Sequence, residues 1–239
     1  MINILDVIIL FIILFSAVIG MKKGAIKSAV SFIGIILCVI IAYALKNALA
    51  NILISYLPFF DFGGVFKGVS VLNILIYEAI AFLIIFSILQ MILKLIIHFT
   101  SILEGLLKAT IILGIPSKIL GFILGILEGY IYAFIVLFIL SMFSFSIELT
   151  QTSKFNSAIL NNTPILTNFA KDSYESISEI YSLKETYNNI EDKTEYNNVS
   201  IEILLKHDVV TIDTVEKLVK KDKLDITNLE QLKDKYRKD

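Results

Sequence analysis

The chain has 239 residues, of which 56% are hydrophobic and 18% charged, and its mean hydropathy is +0.81. A water-soluble domain runs nearer about 45–50% apolar and about 25% charged, so an ordinary soluble globule is excluded. The net charge of −1 excludes a global basic footprint for nucleic acid, and the lone Cys38 excludes an intrachain disulfide.

The apolar excess lies before Phe145, and after it the chain turns polar. The N-terminus reads "MINILDVIILFIILFSAVIGMKKG". A signal peptide places positive charge before its apolar run. Here Asp6 precedes the run and Lys22 and Lys23 follow it, so a retained first span is expected. A span needs about 20 apolar residues, and four segments qualify. They run from about Ile4 to Gly20, Ala25 to Leu45, Val71 to Ile97 and Ile119 to Phe143. The piece between the last two, Ser101 to Pro116, is apolar but short, and Glu104 and Lys108 stand one turn apart on it. It reads as an interfacial amphipathic helix ended by Pro116, with a plain loop helix and a re-entrant hairpin as alternatives. The fold class is therefore all-α: a polytopic membrane protein with four transmembrane helices, one interfacial helix and a soluble helical tail. The expected domains are a membrane domain over 1–145, a polar linker over 146–200 and short helical repeats over 201–239.

Lysine placement sets an orientation. Lys22, Lys23, Lys27, Lys94, Lys108 and Lys118 flank the first and third loops, six in all, against Lys46 and Lys67 for the second. The first and third loops are expected in the cytoplasm and both termini outside it. The thirteen Lys and Arg after Phe145 carry no weight, because long tails translocate regardless of their charge.

Small residues mark the packing faces. Ser117, Gly121, Gly125, Gly129 and Ala133 recur every four residues along the fourth span, forming a groove that another backbone can approach. "SAVIGMKKGAIKS" (Ser16–Ser28) aligns with "SKILGFILGILEG" (Ser117–Gly129), matching Gly20 to Gly121, Gly24 to Gly125 and Lys27 to Glu128. This suggests a parallel internal repeat. Glu128 shares the face of Gly121, so it should point into the bundle. Either Lys27 pairs with it, or Glu128 reaches water at the cytoplasmic surface while Lys27 snorkels independently. Asp6, Asn73, Glu78 and Gln90 are the other polar intrusions, expected to be satisfied between helices or to line a polar path.

Asp6 opening the first span, Gly20, Gly24 and Gly34 around the second, and Gly121, Gly125 and Gly129 in the fourth resemble the colicin V production protein family of bacterial inner-membrane proteins. The resemblance covers roughly Asp6 to Phe145 and extends faintly through "TSKFNSAILNNTPIL". It implies an inner-membrane protein required for producing and exporting a peptide toxin, without enzymatic activity or substrate attached. The position of Glu128 departs from the resemblance, since a basic residue is the family's usual choice there.

In the tail, Ile177, Ile180, Tyr181 and Leu183 suit a helix. Beyond it, "IEILLKHDVVTIDT" (Ile201–Thr214) aligns with "VEKLVKKDKLDITN" (Val215–Asn228), and a partial third copy starts at Leu229, a period of fourteen. Asp213 with Glu216, and Thr227 with Glu230, fit capping boxes. The units read either as a protein-binding module or as a solvated helical cap.

No nucleophile elbow, phosphate-binding loop or metal-spaced cluster occurs, and His98 and His207 lack a cysteine pair. The expectation is a non-enzyme with no cofactor and no metal. The expected partners are the lipid bilayer, membrane or extracytoplasmic proteins docking on the C-terminal helices, and a second copy of the chain, with no nucleic acid. A small transporter or channel subunit using the intramembrane carboxylates is the second reading.

Overall fold

The computed structural model describes residues 3–60, 69–107, 115–141, 153–163, 175–180, 182–183 and 193–237. Among these residues the regular structure is all α-helical, and four helices are long and apolar enough to cross a membrane. They are α1 (Ile4–Lys23), α2 (Ala25–Tyr56), α3 (Leu72–Leu107) and α4 (Ile115–Ser141). Shorter helices follow: α5 (Lys154–Asn162), α6 (Lys193–Lys206), α7 (Ile212–Lys220) and α8 (Leu229–Tyr236).

Two spans are longer than the hydropathy pattern suggests. α2 passes the expected end at Leu45 because "KNALANILISY" holds neither Gly nor Pro, and nothing stops the hydrogen-bond ladder before Leu57 and Pro58. α3 likewise continues to Leu107, so the first half of the expected interfacial helix is an extension of the third span. Its other half, 108–114, lies outside the described residues, as does the side chain of Glu104. Pro116 is the second residue of α4. In a first turn the N–H it lacks has no intrahelical acceptor anyway, so it opens a helix instead of closing one.

Two compact units divide the chain. One comprises Met1–Ala44 and Leu83–Thr167, the other Leu45–Phe82 and Asn168–Asp239. The expected boundary near 145 is thus not where the units separate, because α2 and α3 each supply residues to both.

In the first unit, α1 is capped by Asn3, whose side-chain oxygen accepts from Leu5 N at 2.9 Å. It ends at Gly24, which at φ 80° adopts a conformation that side chains rarely tolerate. The adjoining N–H of Ala25, at the start of α2, donates to Ser117 Oγ of α4 at 3.0 Å. This break separates Gly20 from Ser28, whereas Ser117–Gly129 is one uninterrupted helix. The two aligned stretches are therefore not structural repeats, and their glycines meet each other instead. A Cβ on Gly20 would strike the backbone of Gly121 and Gly125. One on Gly125 would lie 2.5 Å from Ser16 O and 2.9 Å from Ala17 Cα, and one on Gly129 2.8 Å from Ile13 Cα. As α4 advances from 121 to 129, its partners on α1 retreat from 20 to 13, so the helices are antiparallel. The opposite face of α1 leaves Val7, Phe11, Leu14 and Val18 exposed, as a lipid-facing stripe requires.

In the second unit, the first turns of α3 are buried nearly all round, with Val71, Leu72, Ile74, Leu75, Ala79 and Phe82 in the core. Asn73 holds Phe60, accepting from its N–H at 2.7 Å and donating to its carbonyl at 3.1 Å, and the Tyr77 hydroxyl donates to Pro58 O. Equivalent positions of the aligned tail copies share backbone features. Asp208 and Asp222, fourteen apart, both have positive φ (52° and 53°). Val209 N donates to Leu204 O at 2.9 Å and Lys223 N to Leu218 O at 3.0 Å, so α6 and α7 end in the same Schellman turn. Leu204, Leu218 and Leu232 are buried at equivalent places in the three copies. The cap of α7 is Thr211, which accepts from Thr214 N, and Asp213 lies inside the first turn. Asn228, not Thr227, precedes α8, and Thr227 is tied instead to Asn198, whose Oδ1 accepts from its N–H at 2.9 Å. Ile177 and Ile180 of the helical stretch 175–180 are buried, while Tyr181 lies outside the described residues.

Gly125→Leu should lower the melting temperature in detergent, at a cost of about 3 kcal/mol or more, since backbone cannot yield as a side chain can. Gly34→Ala should cost less, because a Cβ there meets only the flexible end of Leu93. Equal tolerance of both substitutions would refute the glycine contact.

Candidate functional site

Five charged residues of the apolar helices, Asp6, Lys23, Lys46, Glu78 and Glu128, lie in three clusters. The first sits at the junction of α1, α2 and α4. Glu128 is 5% exposed and lies on the α4 face that carries Gly121 and Gly125. Lys23 Nζ donates to its two carboxylate oxygens at 3.2 and 3.4 Å, and Ser31 Oγ donates to Oε1 at 2.9 Å. Lys23 also donates to Ser31 Oγ at 3.1 Å, which closes a triangle. Because the contact across Gly20 fixes α1 against α4, Lys23, three residues further along α1, is delivered onto Glu128. The structure thus brings Lys23 to Glu128, a residue that the alignment, which offered Lys27, did not single out. The alignment treated Ser16–Ser28 as one helix, whereas the helix breaks at Gly24. The i+3 relation of Lys23 to Gly20 was the available signal. Ser28, also buried, donates to Gly20 O at 3.0 Å across the same junction.

The second cluster lies at the other end of the first unit. Asp6 is 8% exposed and accepts from Ser153 Oγ at 2.5 Å and from Phe155 N at 3.4 Å. Ser153 is the N-cap of α5 and accepts from Asn156 N at 3.1 Å. Asp6 therefore places a negative charge at the start of a helix, where unpaired N–H groups carry partial positive charge. Ile159 and Leu160 bury the inner face of α5, and Thr163 donates to Tyr130 OH on α4 at 3.3 Å. The start of α1 and the segment after α4 thus meet at one end.

The third cluster belongs to the second unit. Lys46 of α2 and Glu78 of α3 form an ion pair, each side chain 2% exposed. Glu78 was legible as a polar intrusion, but its partner was not, because only the tertiary fold brings residues 32 apart in sequence together.

The tail's charges are solvent-facing by comparison. Lys233 and Arg237 approach Glu216 at 2.7 and 3.3 Å, and the hydrogen bond from Lys233 holds the Glu216 carboxyl below its ordinary range. Lys206 and His207 both meet Glu179, at 3.2 and 3.1 Å. Burial pushes the Tyr196 hydroxyl up to about 12, and it donates to Ile180 O at 2.7 Å. Among the described residues no three His, Cys, Asp or Glu side chains are grouped to hold a metal ion.

Four helices long and apolar enough to cross a membrane, with the ion pairs Lys23–Glu128 and Lys46–Glu78 among them, define a multi-pass α-helical membrane protein. Residues 5–164 match the model of the colicin V production protein, and the chain belongs to that family. The match takes in α1 to α5 and ends before the helical repeat. Neither a curated protein nor a solved structure matches the chain.

Lys23→Gln should destabilise the protein by about 2 kcal/mol, short of the fully buried range because Lys23 keeps some solvent contact. Lys27→Gln should cost less, and adding Glu128→Gln to Lys23→Gln should recover part of the loss. Chemical denaturation of the four proteins in detergent measures this. A Lys27 effect as large as that of Lys23 would reject the triangle as the dominant pairing.

Proposed function

We propose that this membrane protein is a non-enzymatic component of the colicin V production type, acting in toxin production and export or in the envelope through helix packing and partner proteins. One observation carries the reading: the buried carboxylates Glu128 and Glu78 are each met by a lysine of their own unit. A charge in an apolar bundle is costly, and pairing it is the structural solution. Such pairs hold helices in register and leave the outward surfaces for protein contacts. The C-terminal helices, which lie beyond the family match, supply the surface for a membrane or extracytoplasmic partner, and a second copy of the chain is a further candidate.

A transporter or channel subunit is the second reading. It is favoured by the unequal exposure of the first pair, 27% for the Lys23 side chain against 7% for Glu128, which leaves the carboxylate approachable from one end. Proteoliposomes decide between the two. The expected outcome is no flux of protons, cations or small solutes above empty vesicles, for the protein and for Glu128→Gln alike. Flux that Glu128→Gln abolishes would replace the scaffold reading with transport.

The protein sits in the inner or plasma membrane with both termini outside the cytoplasm in this reading. The lysine asymmetry supports that orientation, and the Asp6–Ser153 contact supports an even number of crossings between the two. Because the Glu230 side chain is 82% exposed, the reporter is Glu230→Cys in a Cys38→Ser background. A membrane-impermeant maleimide should label it in intact cells or spheroplasts. Labelling only after lysis would reverse the orientation.

A further inference from the structure

The end of α2 meets two cations that no carboxylate answers among the described residues. Lys223 Nζ donates to the carbonyls of Ile54, Ser55 and Leu57 at 2.8, 3.0 and 2.8 Å. Lys221 Nζ donates to the same Ser55 carbonyl at 2.9 Å. A helix C-terminus offers only about half a negative charge, so two ammonium groups on one carbonyl leave a surplus of positive charge. Among the described residues neither has an acidic partner. Burial and then the charge of Lys221 push the Lys223 pKa down. The three protons of Lys223 are all donated, whereas Lys221 keeps two free to donate.

The rim of this cation pair is apolar. Tyr56 is 80% exposed, Phe60 52% and Leu57 41%, and the Lys221 ammonium stands 5.0 Å from the centre of the Tyr56 ring. α2 has 32 residues, about 48 Å of helix, against about 40–45 Å for a bilayer with its headgroups. A helix of this length reaches a headgroup layer at each end, and exposed tyrosine beside lysine is the side-chain pair suited to that layer. A soluble anion would gain nothing from three exposed apolar side chains, whereas a lipid brings its phosphate and its chains together.

We propose that the C-terminal end of α2, with Lys221 and Lys223, is a binding site for the phosphate of an anionic phospholipid. The phosphate oxygens accept from the spare N–H groups of Lys221 and offset the charge of Lys223, while the chains lie against Leu57 and Phe60. Since the two lysines belong to the turn between α7 and α8, a bound lipid also fastens the helical repeat to α2.

The test uses the full chain in detergent, titrated with phosphatidylglycerol, phosphatidylcholine or inorganic phosphate, with lipid retention read by native mass spectrometry and stability by melting temperature. Phosphatidylglycerol should be retained and should raise the melting temperature, and the other two should not. Lys221→Gln, which leaves the Lys223 cap in place, should weaken phosphatidylglycerol retention about fivefold without changing the lipid-free melting temperature. Three results would overturn the proposal: equal retention by Lys221→Gln, equal stabilisation by phosphatidylcholine, or stabilisation by inorganic phosphate matching that of the lipid. The last would make the site one for a soluble anion.

Discussion

The first unit rests on the approach of two backbones. Gly20 on α1 and Gly121, Gly125 and Gly129 on α4 have no side chains between them, and the neighbouring main-chain atoms stand where a Cβ would need to be. In lipid there is no hydrophobic gain from pressing apolar helices together, so association relies on close dispersion contact and on polar groups shared between helices. The glycines give up helix propensity of about 1 kcal/mol each to allow that approach. What they gain is a fixed register, on which the polar contacts of Glu128 and Asp6 depend.

The register explains why charged residues are tolerated in such apolar sequence. With α1 seated on α4, Lys23 and Ser31 reach Glu128 at one end, and Asp6 reaches the cap of α5 at the other. Each carboxylate is answered by donors that the glycine contact brings within reach. A slip of one turn would leave Glu128 without its lysine and Asp6 without its helix terminus. The packing and the polar contacts therefore specify the same alignment, which is the consistency expected of a sequence with one folded state.

The second unit solves a different problem. Its helices are short, and a short helix in water is marginal without tertiary contacts. The fourteen-residue repeat provides those contacts by placing one leucine per copy in a common core and ending α6 and α7 in the same turn. The turn at Asp222 also presents Lys221 and Lys223 to the carbonyls that the end of α2 leaves unpaired. The repeat is thus joined to the span by the need to satisfy a helix terminus, and the Lys46–Glu78 pair is enclosed in the same unit.

By itself, the sequence determined whatever depends on neighbours within a turn or two. Four apolar stretches announced four spans, Gly121, Gly125 and Gly129 suggested a close-packed face, the period of fourteen suggested a repeat, and Asp6 with the spread of glycines pointed to the family. These features were readable because hydropathy and helical periodicity are local. The tertiary structure decided the rest. It brought Lys23 to Glu128 and broke the helix at Gly24, where the aligned fourth span runs on uninterrupted. It extended α2 to Tyr56, put Thr211 rather than Asp213 at a helix start, and joined Asp6 to Ser153 and Lys46 to Glu78. Such pairings join residues remote in sequence. Their partners are selected by how helices pack, and no local pattern encodes that.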